Sequence, residues 1–255
     1  MSSSITILTG ASRGLGAAMA EQLLLPDSVL LCISRHASDA LAAKAAGVPM
    51  RLEQWKRDLA DPVSVAEQIE LWLGAFDPAR CDAVTLINNA GVLARVGPLD
   101  ASTNAELSVV LRVGLEAALL LTAAFLRATL GWRAREQGHC KVLNISSGLG
   151  RRPMAASAAY CAVKAGMDHF SRAVALDEAH RGSGAKIVAL APGVIDTDMQ
   201  VHLRAADSSG FPEQHVFMDL QSQGQLATPH DAAARVLAYL RRDDFGSTPV
   251  ADIRE

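Results

Sequence analysis

The stretch SITILTGASRGLG, residues 4–16, decides the fold class of this chain. SITILT predicts a buried β-strand, the residues after 15 predict a helix, and a glycine-rich turn joins the two. Glycine lets the backbone approach a pyrophosphate closely, and the start of a helix offers free N–H groups and partial positive charge. Such a turn can also occur without a ligand, but its place between the first strand and the first helix favours a dinucleotide site. The candidate contacts in this turn are Gly10, Ser12, Arg13, Gly14, Leu15 and Gly16.

The remainder of the chain repeats this alternation of short apolar runs and longer helical stretches. Runs such as VLLCIS and KIVALA are almost continuously apolar, as expected of strands that are covered on both faces. Strands separated by helices predict right-handed βαβ units and therefore a parallel sheet. We expect an α/β fold: a single doubly wound Rossmann-type domain over residues 1–255, with a parallel sheet of about seven strands and helices on both faces. The predicted strands are 4–9, 29–34, 51–57, 83–88, 141–146 and 186–191, and the predicted helices are roughly 15–25, 38–46, 62–75, 104–135 and 155–180.

Residues 198–228 depart from this rhythm, because they follow the sixth predicted strand as a long stretch that contains Gly210, Pro212 and Gly224. Long excursions at the carboxyl edge of a sheet are often functional, so this segment is a candidate substrate lid. The next helix is expected to begin near Pro229.

Composition disfavours several classes of function. The chain has 255 residues, 50% of them hydrophobic, and a net charge of −3, which suits one core and disfavours nucleic-acid binding. The four cysteines have neither CxxC spacing nor a histidine at ligand spacing, so we expect no metal site. The first residues lack the features of a signal peptide, and the apolar stretch 113–126 carries Glu116 and is too short to span a bilayer. These features predict a cytoplasmic protein without a membrane partner.

The end of the second strand indicates which dinucleotide binds. A residue there faces the adenosine ribose, where an acid favours a free 2′-hydroxyl and an arginine accommodates a 2′-phosphate. This chain has Ser34 and Arg35 at that point, and Arg13 in the glycine turn is a second cation. Two guanidinium groups suit a dianionic phosphate, since each can form paired, charge-assisted hydrogen bonds. We therefore predict NADP(H) as the cofactor; the alternative is that one arginine is only a surface charge.

Five motifs occur in an order that resembles the short-chain dehydrogenase/reductase family. They are TGASRGLG at 9–16, NNAG at 88–91, the last serine of NISS at 144–147, YCAVK at 160–164 and PGVIDT at 192–197. Within the family, APGVIDTDMQ at 191–200, QSQGQL at 221–226 and the tail 241–255 resemble most the sepiapterin reductases and bacterial benzil reductases. The resemblance implies an oxidoreductase that acts on a small-molecule carbonyl and assembles as a homodimer or homotetramer.

The resemblance also implies cofactor contacts beyond the glycine turn. Each of these segments could instead have a purely structural role, as an ordinary glycine turn after a strand or, for Asp58, as a helix cap. The implied contacts are Asn89, Ala90 and Gly91 at the ribose, Asp58 and Leu59 at the adenine, and Pro192, Gly193, Ile195 and Thr197 at the nicotinamide.

Ser147, Tyr160 and Lys164 are the predicted catalytic residues. A ketone accepts hydride readily only if its oxygen is protonated or strongly hydrogen-bonded as charge develops. Lys164 lies one helical turn after Tyr160, and its ammonium group is expected to lower the tyrosine pKa toward working pH. In the family, this lysine also binds the nicotinamide ribose, and Tyr160 is likewise an expected cofactor contact. A serine thirteen positions before the tyrosine holds the substrate carbonyl. That spacing selects Ser147 over the adjacent Ser146, which should face the opposite side of the strand. Each residue alone is more often structural, and only the three together favour catalysis.

One position departs from the family pattern. The family commonly has an asparagine in the long helix after NNAG, where it bends the helix and helps to hold a water in the proton relay. Alignment on LLLT at 119–122 puts Gly114 there. A glycine can also permit a helix irregularity, so the sequence leaves both alternatives open, a site with the relay water and one without it.

The resemblance also bears on the substrate, because sepiapterin reductase-like enzymes reduce carbonyls, often adjacent dicarbonyls, on planar or aromatic compounds. Leu149, Met154 and Met199 are predicted to contact the substrate with the catalytic serine and tyrosine, and Asp252 aligns with a tail acid that grips pterins. Two alternatives stay open: another short-chain enzyme, such as an alcohol or 3-oxoacyl dehydrogenase, or a cofactor-binding sensor without turnover. Other lid residues that could line an apolar pocket are His202, Phe211, Phe217 and Met218.

Overall fold

A seven-stranded parallel sheet forms the centre of the computed structural model, which describes residues 3–134, 140–181 and 184–255. The strand order is β3-β2-β1-β4-β5-β6-β7, and every neighbouring pair is parallel. The predicted sheet is therefore confirmed, and six strands lie within two residues of the predicted runs. The strands are β1 (Ser3–Thr9), β2 (Ser28–Ser34), β3 (Arg51–Lys56), β4 (Cys81–Asn88), β5 (Cys140–Ile145), β6 (Lys186–Ala191) and β7 (Val250–Asp252).

Helices cover both faces of this sheet, as a doubly wound fold requires. The described helices are α1 (Gly14–Gln22), α2 (Asp39–Ala45), α3 (Pro62–Gly74), α4 (Asn104–Leu111), α5 (Ala117–Ala128), α6 (Ala158–His180), α7 (Asp198–Arg204), α8 (Gln214–Ser222) and α9 (Pro229–Leu240). On one face, α3 and α5 bury Ile69 and Phe125; on the other, α1 and α9 bury Met19 and Val236. Burying a side chain of this size contributes about 1.5–3 kcal/mol, so these two layers supply much of the driving force for folding.

The single helix predicted at 104–135 is wrong in its continuity and its length. After α4 the chain forms a π-helical turn at Arg112–Glu116, and the regular helix α5 ends at Ala128. A 3-10 helix at Leu130–Ala134 follows, while residue 135 lies outside the described residues.

Gly114 lies within the π turn, and its lack of a side chain explains why the π turn approaches α6 so closely. A Cβ at Gly114 would lie only 2.7 Å from Cγ1 of Val163, a buried residue of α6. The absence of a side chain therefore allows the two helices to touch where the first is irregular.

Two other helix boundaries differ from the prediction for local reasons. α1 ends at Gln22 and not at 25, because Pro26 disfavours helical backbone in the residue before it. α6 begins at Ala158 and not at 155, because Ala156 has a φ of 60°, which is incompatible with a right-handed helix.

The candidate lid, residues 198–228, contains the two short helices α7 and α8. At the end of the lid, the Thr228 side chain caps α9, and Pro229 is the first residue of that helix, as predicted.

By length and apolar composition alone, the segment Asn104–Ala128 would be able to cross a membrane. Its residues Ala117, Leu121 and Phe125 are instead buried in the apolar layer on the sheet, which is the arrangement of a core helix.

Candidate active site

The glycine turn and the segment after β4 meet at the carboxyl edge of the sheet. Oγ1 of Thr9 accepts hydrogen bonds from the backbone N–H groups of Asn89 and Ala90, both at 3.0 Å. The Asn89 side-chain amide donates in return to the carbonyl oxygens of Thr9 at 3.0 Å and Gly10 at 3.2 Å. The two predicted motifs are thus joined into one cleft. Thr9, the first residue of the motif TGASRGLG, joins them, although it was not among the predicted contacts.

Backbone conformation explains the glycines of the turn. Gly10 and Gly14 have φ values of 69° and 54°, which residues with a Cβ rarely adopt. A Cβ at Gly16 would overlap the carbonyl oxygen of Gly10. The side chain of Arg13, the N-cap residue of α1, forms no cap hydrogen bond, so it leaves the first N–H groups of the helix available to a ligand. A pyrophosphate fits these donors and the positive end of α1.

Arg13 and Arg35 lie in different environments. Nη1 of Arg13 lies 3.1 Å from Oδ2 of Asp198, the first residue of α7, and both side chains are largely exposed. Arg35 is exposed and, among the described residues, has no hydrogen-bond or ion-pair partner. Arg35 is therefore accessible to a phosphate, whereas Arg13 could bind a phosphate only by releasing the Asp198 carboxylate.

The predicted adenine contacts follow β3. Oδ1 of Asp58 accepts a 2.9 Å hydrogen bond from the N–H of Ala60, so this carboxylate also stabilises the turn before α3. The Leu59 side chain is buried in the core, which leaves its backbone N–H as the group that can meet a base.

The segment Pro192–Thr197 faces the glycine turn across the cleft. Main-chain hydrogen bonds hold it to Ala227, which donates to Val194 at 3.0 Å and accepts from Asp196 at 2.9 Å. Gly193 has a φ of 83°, Pro192 and Ile195 are buried, and Cγ2 of Thr197 would lie 3.4 Å from a Cβ at Gly14. The predicted nicotinamide contacts and the predicted pyrophosphate contacts thus line the same cleft.

Ser147, Tyr160 and Lys164 converge where β5 ends. Ser147 opens a 3-10 turn, and its Oγ accepts from the N–H of Leu149 at 3.2 Å. Nζ of Lys164 lies 5.5 Å from the centre of the Tyr160 ring, one helical turn away on α6. This lysine is 4% exposed, and its Nζ donates to the carbonyl oxygen of Ile145 at 2.7 Å. The structure thus brings the three predicted catalytic side chains together at the carboxyl edge.

Burial dominates the titration of this pair. It raises the pKa of Tyr160 to about 12, while hydrogen bonding with Ser147 acts in the opposite direction. Burial also lowers the pKa of Lys164 to about 8, and the neighbouring Asp168 carboxylate opposes that change. The expectation that the Tyr160 pKa is lowered is therefore wrong, because desolvation, which disfavours the phenolate and the ammonium alike, outweighs any stabilisation of the phenolate by Lys164. Tyr160 is thus held in its neutral form, which is the form able to donate a proton.

Ser146, the competing serine, has a different partner. Its Oγ is hydrogen-bonded to Oδ1 of the buried Asp168, and Oδ2 of Asp168 lies 3.2 Å from Nε of Arg151. Sequence reasoning missed Asp168 and Arg151, because no motif includes them. The one available signal was the position of Asp168, four residues after Lys164 on the same helical face.

An apolar cluster adjoins the catalytic residues. Its buried members are Met154, Leu203 and Phe211, and Leu93, Val96, Leu149, Ala156, Cys161, Met199, Ala206 and Phe217 pack against them. Leu149 lies two residues after Ser147 and Cys161 is the neighbour of Tyr160, so this cluster, here called the apolar wall, adjoins the segments that carry the catalytic hydroxyl groups. The predicted substrate residues Leu149, Met154 and Met199 belong to this wall, whereas His202 and Met218 are exposed.

Asp252 is buried at the end of β7, and both of its carboxylate oxygens have partners within the chain. Arg254 donates to them from Nε at 2.8 Å and Nη2 at 2.7 Å, and Nη1 of Arg151 lies 3.8 Å away. Hydrogen bonding from Arg254 lowers the pKa of Asp252. To grip a pterin, this buried carboxylate would have to give up its pairs with two partly exposed arginines.

Comparison with known proteins identifies the family. The sequence pattern of the family described as short chain dehydrogenase matches residues 4–208. The chain is 31% identical over 249 residues to benzil reductase ((S)-benzoin forming) of Bacillus cereus, which covers 98% of both chains. It is 33% identical over 256 residues to sepiapterin reductase of Rattus norvegicus, covering 95% of this chain and 93% of that one. Among solved structures, the KRED1-Pglu enzyme has a TM-score of 0.76 at 27% identity, covering 95% of this chain and 98% of that one. The chain is therefore an oxidoreductase that belongs to the short chain dehydrogenase family.

Proposed function

We propose that this protein is an NADP(H)-dependent reductase that transfers hydride to a ketone or an adjacent dicarbonyl, with Tyr160 as the proton donor. The observation that carries this proposal is the convergence of Ser147, Tyr160 and the buried Lys164 at the edge of the glycine cleft. A Cβ at Gly91 would lie 3.9 Å from Nζ of Lys164, so the lysine faces the NNAG side of that cleft.

Each catalytic side chain has one task in this reaction. A bound NADPH would supply the hydride to the carbonyl carbon. The Ser147 hydroxyl holds the carbonyl oxygen, and Tyr160 donates its proton to that oxygen as negative charge develops there. The phenolate left behind is stabilised by the Lys164 ammonium, which favours the charged form of a nearby acid. The oxygen is thus neutralised without any charge being released into the apolar wall.

The preference for NADP(H) is supported by the exposed Arg35. It lies at the end of β2, where the adenosine ribose of a dinucleotide would be, and has no partner within the described chain. Arg13 is paired with Asp198, but exposed pairs of this kind contribute only about 0.2–1 kcal/mol. A dianionic phosphate therefore competes readily with Asp198 for this guanidinium group.

An apolar dicarbonyl suits the site better than a pterin does. The apolar wall includes methionine, leucine and phenylalanine side chains, which favour aromatic or alkyl substituents. Asp252, the residue aligned with the pterin-gripping acid, is already bound by Arg254 and Arg151. Two of the relatives are named benzil reductases, and benzil is an apolar aromatic dicarbonyl of this kind.

The protein is expected to act as a homodimer or homotetramer in the cytoplasm. Leu111 of α4, Leu119 of α5 and Leu176 of α6 expose 44%, 45% and 74% of their surfaces. Exposed leucines on neighbouring long helices favour an interface between copies of the chain.

A substrate panel tests this function. Benzil, butane-2,3-dione, sepiapterin and an acetoacetyl thioester are offered with NADPH, and its absorbance is followed. We expect benzil to have the highest kcat/KM. A clear preference for sepiapterin would refute the interpretation of Asp252, and a preference for the thioester would favour a 3-oxoacyl reductase. No turnover on any of them would refute the reductase function.

The variant Tyr160→Phe tests the proton donor directly. Removing the hydroxyl should lower kcat by about 10²–10⁴-fold and change NADPH affinity far less, as measured by cofactor fluorescence. Tyr239→Phe is the matched control, since Tyr239 is the other tyrosine of the chain and packs against Phe245 away from the site. Wild-type turnover in Tyr160→Phe would exclude this residue as the donor.

A further inference from the structure

We propose that Asp168 is a positioning residue of the catalytic site, which fastens the turn carrying Ser147 to the helix carrying Tyr160 and Lys164. This inference rests on the proposed reductase function, and it names a further residue on which the same site depends.

One buried carboxylate holds both ends of the Ser147 turn. Asp168 is 1% exposed and lies one helical turn after Lys164 on α6. Its Oδ1 accepts from Oγ of Ser146, the residue immediately before Ser147. Its Oδ2 accepts from Nε of Arg151, the residue that closes the 3-10 turn Gly148–Gly150, at 3.2 Å. The turn is therefore anchored to α6 on each side of its short span.

The turn lies directly on the helix, so this anchor has little freedom. A Cβ at Gly150 would lie 2.9 Å from Oδ2 of Asp168 and 2.9 Å from the carbonyl oxygen of Lys164. Glycine is needed for this approach. A change in the carboxylate would thus be transmitted directly to the turn and to the Ser147 hydroxyl.

Asp168 also places a negative charge beside Lys164. On the same helix, Lys164 is faced by Tyr160 and Asp168, and from β5 it meets the carbonyl of Ile145. The Asp168 charge opposes the effect of burial on Lys164, which would otherwise lose its proton more readily.

Arg151, at the end of the Ser147 turn, partly offsets the negative charge of Asp168. It lies within 3.2 Å of Asp168 and 3.8 Å of Asp252, whose other partner is Arg254. Two acids and two arginines therefore connect α6, the Ser147 turn and β7. The two carboxylates are buried whereas the two arginines are partly exposed, so removing an arginine leaves a buried carboxylate with one partner fewer and should have a measurable effect.

Glu178 provides a matched control on the same helix. It is 3% exposed, and its carboxylate accepts from Arg181 at 2.9 Å and from the N–H of Ala185 at 2.8 Å. It lies fourteen residues beyond Lys164. Glu178→Gln therefore removes a comparable buried charge without touching the Ser147 turn.

The first test compares Asp168→Asn with Glu178→Gln. In Asp168→Asn, kcat should fall by at least about tenfold because Ser147 is misplaced. The alkaline limb of kcat/KM should also move to lower pH, because Lys164 loses its neighbouring charge. Glu178→Gln should leave the alkaline limb at its wild-type pH. A folded Asp168→Asn protein with wild-type kcat and an unmoved limb would overturn the proposal.

Two further variants test the proposal even if Asp168→Asn does not fold. Ser146→Ala removes the hydrogen bond and keeps the charge, so kcat should fall and the alkaline limb should stay in place. Arg151→Met removes the moderating cation, so the limb should move to higher pH. If neither variant changes the measured quantity in this way, the proposal is wrong.

A measurement without substrate separates this inference from the proposed function. The chain has five lysines, so carbon-13 labelling of lysine Cε gives a spectrum simple enough to follow, and Lys164→Arg assigns the resonance of Lys164. The Lys164 titration should move to lower pH in Asp168→Asn whether or not any carbonyl is reduced. An unchanged titration overturns the role of Asp168, whereas absent turnover in the wild-type protein overturns the reductase function.

Discussion

Replacing Gly114 by alanine is expected to destabilise the protein and slow its turnover, and Val163→Ala in the same chain should relieve much of the loss. A Cβ at Gly114 would lie 2.7 Å from Cγ1 and 3.5 Å from Cγ2 of Val163. Carbon atoms attract most at about 3.5–4.0 Å, so the nearer contact is a clash. Val163 is buried and β-branched, and a helix leaves such a side chain one preferred rotamer.

The size of the effect follows from two opposing contributions. Overpacking a core position costs about 1–3 kcal/mol, and alanine gains about 0.5–1 kcal/mol over glycine within a helix. The net loss for Gly114→Ala is therefore about 0.5–2 kcal/mol. Val163→Ala alone removes two buried methyl groups, at about 0.8 kcal/mol each, and leaves a small cavity. In the double variant only Cβ of residue 163 would remain near the new methyl group, at 3.7 Å, which is an ordinary contact.

Urea unfolding of the wild-type, both single variants and the double variant measures the coupling. We expect the double variant to be more stable than the sum of the single effects by about 1–2 kcal/mol. Because Val163 precedes Lys164, a shift of about 1 Å in α6 would lower kcat by as much as about 100-fold, and the double variant should regain part of it. Gly166→Ala is the control, since its Cβ would meet only the flexible end of Leu115, at 2.9 Å. Single effects that add within about 0.5 kcal/mol would refute the reasoning.

Three further predictions follow from the charges and surfaces of the site. Arg35→Asp should raise the Kd for NADPH much more than the Kd for NADH in fluorescence titrations, and equal losses would contradict a 2′-phosphate contact. Reduction should slow as pH rises through about 8, because Lys164 then loses the charge that stabilises the Tyr160 phenolate; a pH–rate profile that stays level well above pH 8 would exclude this role. Leu176→Glu should shift the assembly toward monomers in sedimentation experiments, whereas Leu71→Glu, equally exposed on α3, should not. An unchanged assembly in Leu176→Glu would remove α6 from the interface.

Local pattern was enough to predict the sheet, whereas the catalytic residues were predicted from the resemblance to a known family together with helical spacing. Strands such as β4 and β6 are short apolar runs between helices, and that alternation alone requires parallel pairing. The glycine turn was recognisable from the spacing of its glycines. Those residues are glycine because the turn needs positive φ values, which most other residues avoid. Tyr160 and Lys164 were paired by helical spacing, which is a property of neighbouring residues. The tail strand Val250–Asp252 had no such signal, because three residues are too few for a pattern.

Only the tertiary structure decided how the groups of the site are charged and partnered. Arg13 meets Asp198 across 185 positions of sequence, Ser146 meets Asp168, and Asp252 is enclosed by Arg254 and Arg151. None of these contacts has a fixed spacing, since each depends on which strands and helices lie side by side.

The same limit applies to the acid–base chemistry. The sequence by itself determined that a tyrosine and a lysine lie one helical turn apart in a dinucleotide-binding fold. How firmly each group holds its proton was decided by burial, which raises the pKa of Tyr160 to about 12 and lowers that of Lys164 to about 8. Likewise, Gly114 marked a departure from the family pattern, but only the packing of Val163 against the π turn showed why a side chain does not fit there. Spacing along the chain fixes which residues are neighbours on a helix, whereas desolvation and close contact depend on every element that packs around them.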